Sequence, residues 1–300
     1  MKFTNKMNLP QYLVDWLKND EYDYNPDPNT TSATGLMKPL RVSVLTSRHG
    51  ANLEIDVADL VASRYGNAIH DSIERVNTPG TSKEVRTAKK ITVKGVEFTV
   101  TGKYDLLIDN GNGTHTLRDI KTTSVWAYIY GGKDKDYQLQ LSIYKWLLSD
   151  EKTIGDMAYI DFFFTDWQSS KARTEDKYPN NRIAPGYKIK LLSSEEVEKF
   201  IVSKLEQIVD FRDVPDDDLP FCTKEELWAE DDTFAVYKIG NKRATKVCDS
   251  KEEADQYQLA NKISGHIQHR PGKVKRCKYC SAAPFCNQFT QLMEAGLIQD

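Results

Sequence analysis

The sequence lacks the features that would assign it to a membrane or a secreted protein. None of its apolar runs approaches the roughly 18 residues that a membrane-spanning helix needs. The N-terminus, MKFTNKMNLPQ, has no apolar core of the kind found in signal peptides. No cysteine occurs before residue 222, and the total of five is odd, whereas a disulfide-stapled secreted fold spreads an even number along its chain. We therefore expect a cytoplasmic protein without a membrane partner.

An excess of charge of either sign is also missing. Lys and Arg number 41 against 44 Asp and Glu, which gives a formal charge of −3 and excludes a protein that coats nucleic acid by bulk charge alone. The positive charge is nevertheless concentrated, because residues 241–280 contain ten Lys and Arg against four Asp and Glu. This stretch is either a solvated face or a surface for phosphate contacts. The candidate phosphate contacts are Arg270, Lys273, Lys275, Arg276 and Lys278.

Apolar periodicity predicts an α/β fold. A helix is expected over 56–76, where apolar residues recur every three or four positions. Alternating β-branched residues and the turn signals Lys94-Gly95 and NGNG predict three antiparallel strands. The strands lie near 84–93, 96–109 and 114–122. A helix near 134–149 follows, then a strand in MAYIDFFFTDW that is apolar enough to be buried on both faces, a strand in YKIKLL, and a helix that begins with a capping box at Ser193 or Ser194.

Composition divides the chain into three parts. Residues 1–55 are expected to form an N-terminal helical segment that packs on a core domain of residues 56–212. The acidic segment VPDDDLP marks a boundary after residue 212. Residues 213–300 then form a C-terminal region that contains every cysteine and the basic stretch.

Two carboxylates and a lysine lie on the second and third predicted strands. Asp119 and Lys121 are two residues apart, so their side chains share one face, while Ile120 points to the other. If the two strands pair through the NGNG turn, Asp105 joins them. Two carboxylates can hold Mg²⁺ or Mn²⁺ through oxygen ligands, and an adjacent lysine can position or activate a water that attacks a phosphodiester. The alternative is a solvated face or a cross-strand ion pair.

A second group of candidate ligands is formed by cysteines. Cys277, Cys280 and Cys286 have the spacing C-x2-C-x5-C, which suggests shared ligation of a metal. Cys222 is the candidate fourth ligand, whereas Cys248 follows a strand-like segment and is expected to be a packed thiol. The alternative is that all five are ordinary reduced cysteines.

Four short motifs follow one another between residues 66 and 144. They are G-N-x-x-H ending at His70, G-K-Y-D ending at Asp105, D-I-K at 119–121, and Q-x-x-x-Y from Gln140 to Tyr144. This order resembles the RecB-type branch of the PD-(D/E)XK nucleases, which includes CRISPR-adaptation exonucleases and stand-alone phage exonucleases. The resemblance implies a restriction-endonuclease-like core, with a mixed central sheet flanked by helices and a cysteine-ligated C-terminal region.

The resemblance also implies roles for individual residues. His70, Asp105, Asp119 and the Ile120 carbonyl would bind Mg²⁺ or Mn²⁺. Lys121 would act on the water, and Gln140 and Tyr144 would contact the substrate backbone or support the lysine. Some members of the branch carry a four-cysteine [4Fe–4S] cluster, which would be held here by Cys222, Cys277, Cys280 and Cys286. Because no cysteine precedes the core, where the family's first ligand commonly lies, Zn²⁺ stays an alternative.

The expected function is that of a metal-dependent DNA exonuclease in recombination, repair or phage DNA processing, in a bacterial or phage-infected cell. Its substrate would be single-stranded DNA or duplex ends. A recombination or single-strand-binding protein is the expected partner, and an oligomer is left open. Two alternatives remain at this point: a structure-selective endonuclease, and a DNA-binding recombination partner with weak catalysis.

Overall fold

A computed structural model describes residues 2–19, 25 and 27–299 of the chain. The β-strands of these residues are β1 (Lys2–Thr4), β2 (Thr30–Ser32), β3 (Glu54–Asp56), β4 (Thr81–Val93), β5 (Val96–Asp109), β6 (Thr114–Thr123), β7 (Thr153–Ile154), β8 (Met157–Phe164), β9 (Ile183–Lys190), β10 (Thr233–Lys238), β11 (Lys246–Cys248) and β12 (Gly265–Arg270). The α-helices are α1 (Gln11–Lys18), α2 (Ala33–Leu36), α3 (Leu40–His49), α4 (Val61–Glu74), α5 (Val125–Tyr130), α6 (Asp134–Leu148), α7 (Ser169–Thr174), α8 (Ser194–Phe211), α9 (Lys251–Ala260) and α10 (Asn287–Glu294). None of the helices in these ranges is long and apolar enough to cross a membrane.

The chain forms two compact units. The sheet unit consists of Lys2–Lys38 and Glu54–Arg212, and the cysteine unit consists of Pro39–Leu53 together with residues 213–299. The N-terminal segment expected at 1–55 is thus divided, because α3 belongs with the C-terminal residues. This segment also contains β1, β2 and β3 besides helices. These three-residue strands pair with each other or with the distant β5, so local sequence gives little sign of them.

The sheet unit has an α/β fold built on a mixed seven-stranded sheet, which confirms the expected fold class. Strands β4, β5 and β6 coincide with the three predicted strands, and Lys94 and Gly95 form the turn between the first two with positive φ angles. The helix expected over 56–76 is shorter, because residues 57–60 form a 3₁₀ turn before α4 begins at Val61. Helix α8 begins with the predicted capping box between Ser193 and Glu196.

The strand expected to be buried on both faces is buried mainly on one. In β8, Ala158, Ile160, Phe162 and Phe164 are buried, while the residues between them are partly exposed. On that second face, Asp161 accepts two hydrogen bonds from the Arg118 guanidinium, at 2.8 and 2.5 Å. Asp161, the one charged residue of β8, therefore forms an ion pair on the second face, and this face is not part of the apolar core.

Helix α6 lies against the long strand β5, where a glycine allows close approach. A Cβ atom at Gly102 would lie 2.7 Å from Leu147 Cδ1 and 2.9 Å from Tyr144 Cε1, so any larger residue would push the helix away. Leu141, Ile143 and Leu147 of the same helix are buried in the main apolar core. This contact fixes the polar side chains of α6 over the middle of the sheet.

The cysteine unit contains a small antiparallel sheet and a set of short helical turns. Strands β11, β10 and β12 form the sheet, and α9 packs on one face through Ala254. Cys248 is buried there beside Val236 and Ala254, so it is the packed thiol that the sequence predicts. The other four cysteines lie in segments outside this small sheet.

Candidate active site

Strands β5 and β6 separate where the candidate acidic residues lie. Their pairing runs from Asp109↔His115 to Leu106↔Arg118 and stops there, while β6 continues along β8. At the point of separation the Asp105 carboxylate accepts a hydrogen bond of 2.6 Å from the Ile120 backbone N–H. The Asp105 side chain thus takes the place of the backbone carbonyl that would accept this hydrogen bond if the two strands stayed paired. We refer to this opening between β5 and β6 as the fork.

The predicted acidic residues and lysine meet at the fork. Asp119 is 2% exposed and Asp105 is 8% exposed. Lys121 Nζ lies 2.7 Å from Asp119 Oδ2 and donates a hydrogen bond of 3.2 Å to Gln140 Oε1. The Gln140 amide in turn donates to the Tyr144 hydroxyl at 3.0 Å. Gln140 thus contacts the lysine directly and Tyr144 contacts it through Gln140; whether they support the lysine or contact the substrate backbone stays a prediction.

His70 reaches the same opening from α4. Its Nε2 atom lies 3.2 Å from the Ile120 carbonyl oxygen, and its Nδ1 atom lies 3.6 Å from Asp105 Oδ1. Three of the four nominated metal ligands, His70, Asp105 and the Ile120 carbonyl, are therefore in contact at the fork. The fourth, Asp119, precedes Ile120 in β6, and its charge raises the pKa of both His70 and Asp105. Carboxylate, carbonyl and imidazole groups together suit a hard or borderline divalent cation.

Glu84 is a member of this site that the sequence reasoning missed. Its carboxylate contacts His70 Nδ1 at 2.7 Å and Lys103 Nζ at 2.6 Å. Among the described residues, His70, Glu84 and Asp105 are the group whose ligand atoms all lie within 4.8 Å of one another. Glu84 also has φ of +51°, a left-handed conformation that is unusual for glutamate and is often found at functional sites.

The position of Glu84 could have been predicted from the register of the hairpin. The Lys94-Gly95 turn fixes the register of the β4–β5 hairpin, in which Lys83 pairs with Leu106 and Val85 with Tyr104. Glu84 is consequently opposite Asp105, and directly opposed residues place their side chains on the same face of the sheet. The turn alone predicts this juxtaposition, although no motif includes Glu84.

The buried charges at the fork shift one another's pKa values. Burial, together with the charge of Asp119, raises the pKa of Asp105 to about 7. Burial lowers the pKa of Lys121, but the charges of Asp119 and Asp105 outweigh it and hold that pKa above its usual range. Burial likewise lowers the pKa of His70, and the contacts with Glu84 and Asp105 raise it to a net value above the ordinary one. Lys121 is therefore an ammonium donor, suited to orienting a water and to stabilising negative charge.

The four candidate cysteine ligands come together within the cysteine unit. Cys222, Cys277, Cys280 and Cys286 line a single cavity. The rest of its wall includes the apolar side chains of Leu45, Leu227 and Phe289 and the guanidinium groups of Arg41 and Arg276. Burial raises the pKa of Cys222 to about 12 and that of Cys277 to about 11, so a metal bound there would displace thiol protons. The donor set fits a thiolate-ligated metal or cluster, whereas the structure holds Cys248 in a separate apolar cluster.

Several of the basic residues nominated for phosphate contacts already have partners in the cysteine unit. Lys275 pairs with Glu230 at 2.9 Å. The Arg276 guanidinium lies over the Trp228 ring, and that of Arg270 donates to the Tyr237 hydroxyl. Lys273 and Lys278 are exposed. This stretch is thus partly built into the surface of the unit, and its phosphate contacts stay a prediction.

Comparison with known proteins bears directly on these groups. Residues 80–287 match the model of the PD-(D/E)XK nuclease superfamily, which is more than half of the chain. The chain is 27% identical over 160 residues to the CRISPR-associated exonuclease Cas4 of Saccharolobus solfataricus, which covers 51% of this chain and 73% of that relative. A solved structure, the crystal structure of SSO0001, aligns with a TM-score of 0.47 at 22% identity, over 68% of this chain and 87% of that one.

The matched residues include most of the groups at the fork and all four cysteines of the cavity. Asp105, Asp119, Lys121, Gln140 and Tyr144 all lie within residues 80–287, as do the four cysteines that line the cavity. His70 lies outside the matched range and joins the site through its contacts with Glu84 and the Ile120 carbonyl. The chain belongs to the PD-(D/E)XK nuclease superfamily.

Proposed function

We propose that this nuclease is a divalent-metal-dependent exonuclease that hydrolyses DNA. The observation that carries the proposal is the convergence of His70, Asp105, Asp119 and Lys121 at the fork. The similarity to a protein named an exonuclease supports the choice of activity. A role in recombination, repair or phage DNA processing is the biological setting that we propose for it.

Each group at the fork has a task in this proposal. His70, Asp105, Asp119 and the Ile120 carbonyl would hold the cation, which when bound would supply a Lewis acid and a water of lowered pKa. Glu84 accepts the Nδ1 proton of His70, which fixes the ring and leaves Nε2 directed at the site. Lys121 donates to the attacking water or to the scissile phosphate, and Gln140 holds the ammonium group in place.

The activity is tested with end-labelled single-stranded and duplex DNA, with and without Mg²⁺ or Mn²⁺. An exonuclease is expected to release short products from the ends and to leave circular single-stranded DNA intact. Cleavage of the circle would favour the structure-selective endonuclease, because only an endonuclease cuts without an end. Binding without turnover under either metal would favour a DNA-binding recombination partner.

We propose that the cysteine site holds a [4Fe–4S] cluster, with Zn²⁺ as the alternative. Among the described residues, no three of the four thiols lie within 4.8 Å of one another. Thiolates around one zinc ion at Zn–S distances of about 2.3 Å would be only about 3.8 Å apart. The wider spacing around a common cavity favours a polynuclear cluster, which would give the purified protein a brown colour.

The raised pKa of Asp105 makes cation binding depend on pH. Because this pKa is about 7, the carboxyl group is protonated in mildly acidic solution and a cation has to displace the proton. We expect Mn²⁺ to raise the melting temperature more at about pH 8 than at about pH 6. Asp105→Asn should keep the hydrogen bond from Ile120 through its amide oxygen and lose the response to Mn²⁺. An equal response at both pH values would contradict the assignment of Asp105 as a ligand.

Glu84 is expected to act on the cation through His70. Replacing it with glutamine keeps the size of the side chain but removes the negative charge beside His70 Nδ1. We expect Glu84→Gln to raise the Mn²⁺ concentration for half-maximal cleavage by about 10–100-fold, with a smaller effect at saturating metal. Glu97→Gln is the matched control, since Glu97 belongs to the same hairpin and pairs with Lys90 at the surface. If Glu84→Gln needed the same Mn²⁺ concentration as wild type, Glu84 would not act on the cation through His70.

A further inference from the structure

An arginine lies buried beside the cysteine cavity. Arg41, in the first turn of α3, is 1% exposed and is among the largest fully buried side chains of the protein. Its Nε donates to Cys286 Sγ at 3.1 Å, and Nη1 donates to the Leu219 carbonyl at 2.5 Å. Nη2 donates to the Asp216 carbonyl at 3.3 Å and to the Asn287 side-chain oxygen. The guanidinium also lies over the Phe221 ring.

The contacts of Arg41 within the described residues leave its charge without an anionic partner. They are made with carbonyl oxygens, an amide oxygen, a sulfur atom and an aromatic ring. Asp216 offers Arg41 only its main-chain oxygen, because its carboxylate is bound to Arg48 and His49. Burying a cation without a counter-charge is energetically costly, so such an arrangement needs compensation.

The cavity beside Arg41 is where an anion would form. Four thiolates carry more negative charge than a zinc ion or an oxidised iron–sulfur core carries positive charge, so either metal group is anionic when bound. Arg41 lines this cavity together with the four cysteines. Arg276 lines it as well, but this side chain is only half-buried and lies over the Trp228 ring, so Arg41 is the fully buried cation of the cavity. Its Nε–H···S contact gives it a directional bond to one of the ligand atoms, and hydrogen bonds to a sulfur ligand tune a cluster.

We propose that Arg41 is the counter-charge of the cysteine site: it compensates an anionic four-thiolate metal group and orients the Cys286 ligand. The proposal rests on the metal-bound cysteine site of the proposed function and goes beyond it, since it assigns a positioning residue that supplies no ligand atom. It also gives α3 a function: in sequence this helix lies between the two stretches of the sheet unit, yet it belongs to the cysteine unit.

The proposal predicts coupling between Arg41 and the metal. Without the metal, Arg41→Gln removes hydrogen bonds but also relieves an uncompensated buried charge. With the metal bound, the same substitution removes the counter-charge as well. A thermodynamic cycle isolates this coupling from the structural effect of the substitution. If Arg41 only linked chain segments through its hydrogen bonds, the substitution would lower the stability of the metal-loaded and the metal-free protein equally.

The test uses the full-length protein, purified without oxygen, in metal-loaded and chelator-stripped forms. We expect Arg41→Gln to lower the melting temperature more in the loaded form than in the stripped form, and to release its metal to a chelator about 10-fold faster or more. If the metal is an iron–sulfur cluster, its reduction potential should move to more negative values, because reduction adds negative charge that Arg41 stabilises. Arg48→Gln, on the same helix and bound to the Asp216 carboxylate, is the matched control and should behave like wild type.

The outcomes separate this proposal from the nuclease itself. Equal losses of stability in the two forms, with unchanged release of the metal, would overturn the role of Arg41. A wild-type protein that binds no iron or zinc would overturn it as well, while cleavage of DNA with Mg²⁺ or Mn²⁺ is measured separately and tests the nuclease proposal. If Arg41→Gln does not fold in either form, Arg41→Lys decides. It keeps the charge and should load metal to the wild-type level, and failure to load would refute the counter-charge.

Discussion

Replacing Asp119 with asparagine is expected to lower the rate of DNA cleavage at saturating metal by about 10³-fold or more. Asp119 is the most deeply buried carboxylate at the fork, and it contacts the Lys121 ammonium group directly. Asparagine has the same shape, so packing around β6 should survive. The substitution removes the negative charge that contacts the ammonium group and that, under the proposal, would also hold the cation; electrostatic contributions of this kind commonly supply the largest share of catalysis.

The control for this prediction is Asp109→Asn on strand β5. Asp109 lies at the exposed end of that strand and accepts a hydrogen bond from the Gly111 N–H, which an asparagine oxygen can also accept. Cleavage by this variant should match that of wild type. Circular dichroism and melting curves of both variants establish that each is folded. If folded Asp119→Asn cleaved DNA at more than about a tenth of the wild-type rate, the fork would not be the catalytic centre.

Replacing Cys277 with alanine is expected to remove the metal from the cysteine site and to destabilise the cysteine unit. Cys277 is buried, and it lines the cavity shared by the four candidate ligands. Because binding of a structural metal contributes directly to folding free energy, we expect a loss of about 3 kcal/mol or more, together with the loss of the bound iron or zinc. The measurements are metal content per chain, visible absorbance and chemical denaturation.

Cys248→Ala supplies the comparison, because Cys248 is also buried but belongs to the separate cluster with Val236 and Ala254. It should keep the wild-type metal content and lose only the small amount of stability that truncating a packed side chain costs, about 1 kcal/mol. A Cys277→Ala protein with full metal content would show that the ligand set is different. Equal metal loss in both variants would mean that metal retention follows the general stability of the unit.

The residues that meet at the fork were more predictable from sequence than their surroundings. Turn residues such as Lys94-Gly95 fix the β-hairpin, and alternation along a strand puts Asp119 and Lys121 on one face, so local rules suffice to bring these groups together. Glu84 was missed because its place opposite Asp105 follows from hairpin register and not from a motif. The pKa shifts at the fork were not predictable either, since they depend on burial that only the folded chain creates.

The contacts of Arg41 could not be predicted from the sequence. It is separated from Cys286 by 245 positions, and nothing in the local pattern of α3 distinguishes it from an ordinary surface arginine. The division of the N-terminal segment between two units has the same origin, because long-range contacts decide which part of the chain covers which core. Helix and strand propensity are local, whereas these assignments are properties of the tertiary structure.

The bond between the Asp105 carboxylate and the Ile120 N–H makes one amide proton a reporter of the active site. In a continuous sheet this N–H would donate to a backbone carbonyl, which does not titrate and so would report no change of pH. Here its acceptor is a carboxylate whose pKa is about 7 and which the cation would share. The chemical shift and the hydrogen-exchange rate of the Ile120 amide should therefore follow the protonation of Asp105 and the arrival of the metal. Labelling this single position would allow binding of a cation at the fork to be followed in solution without DNA.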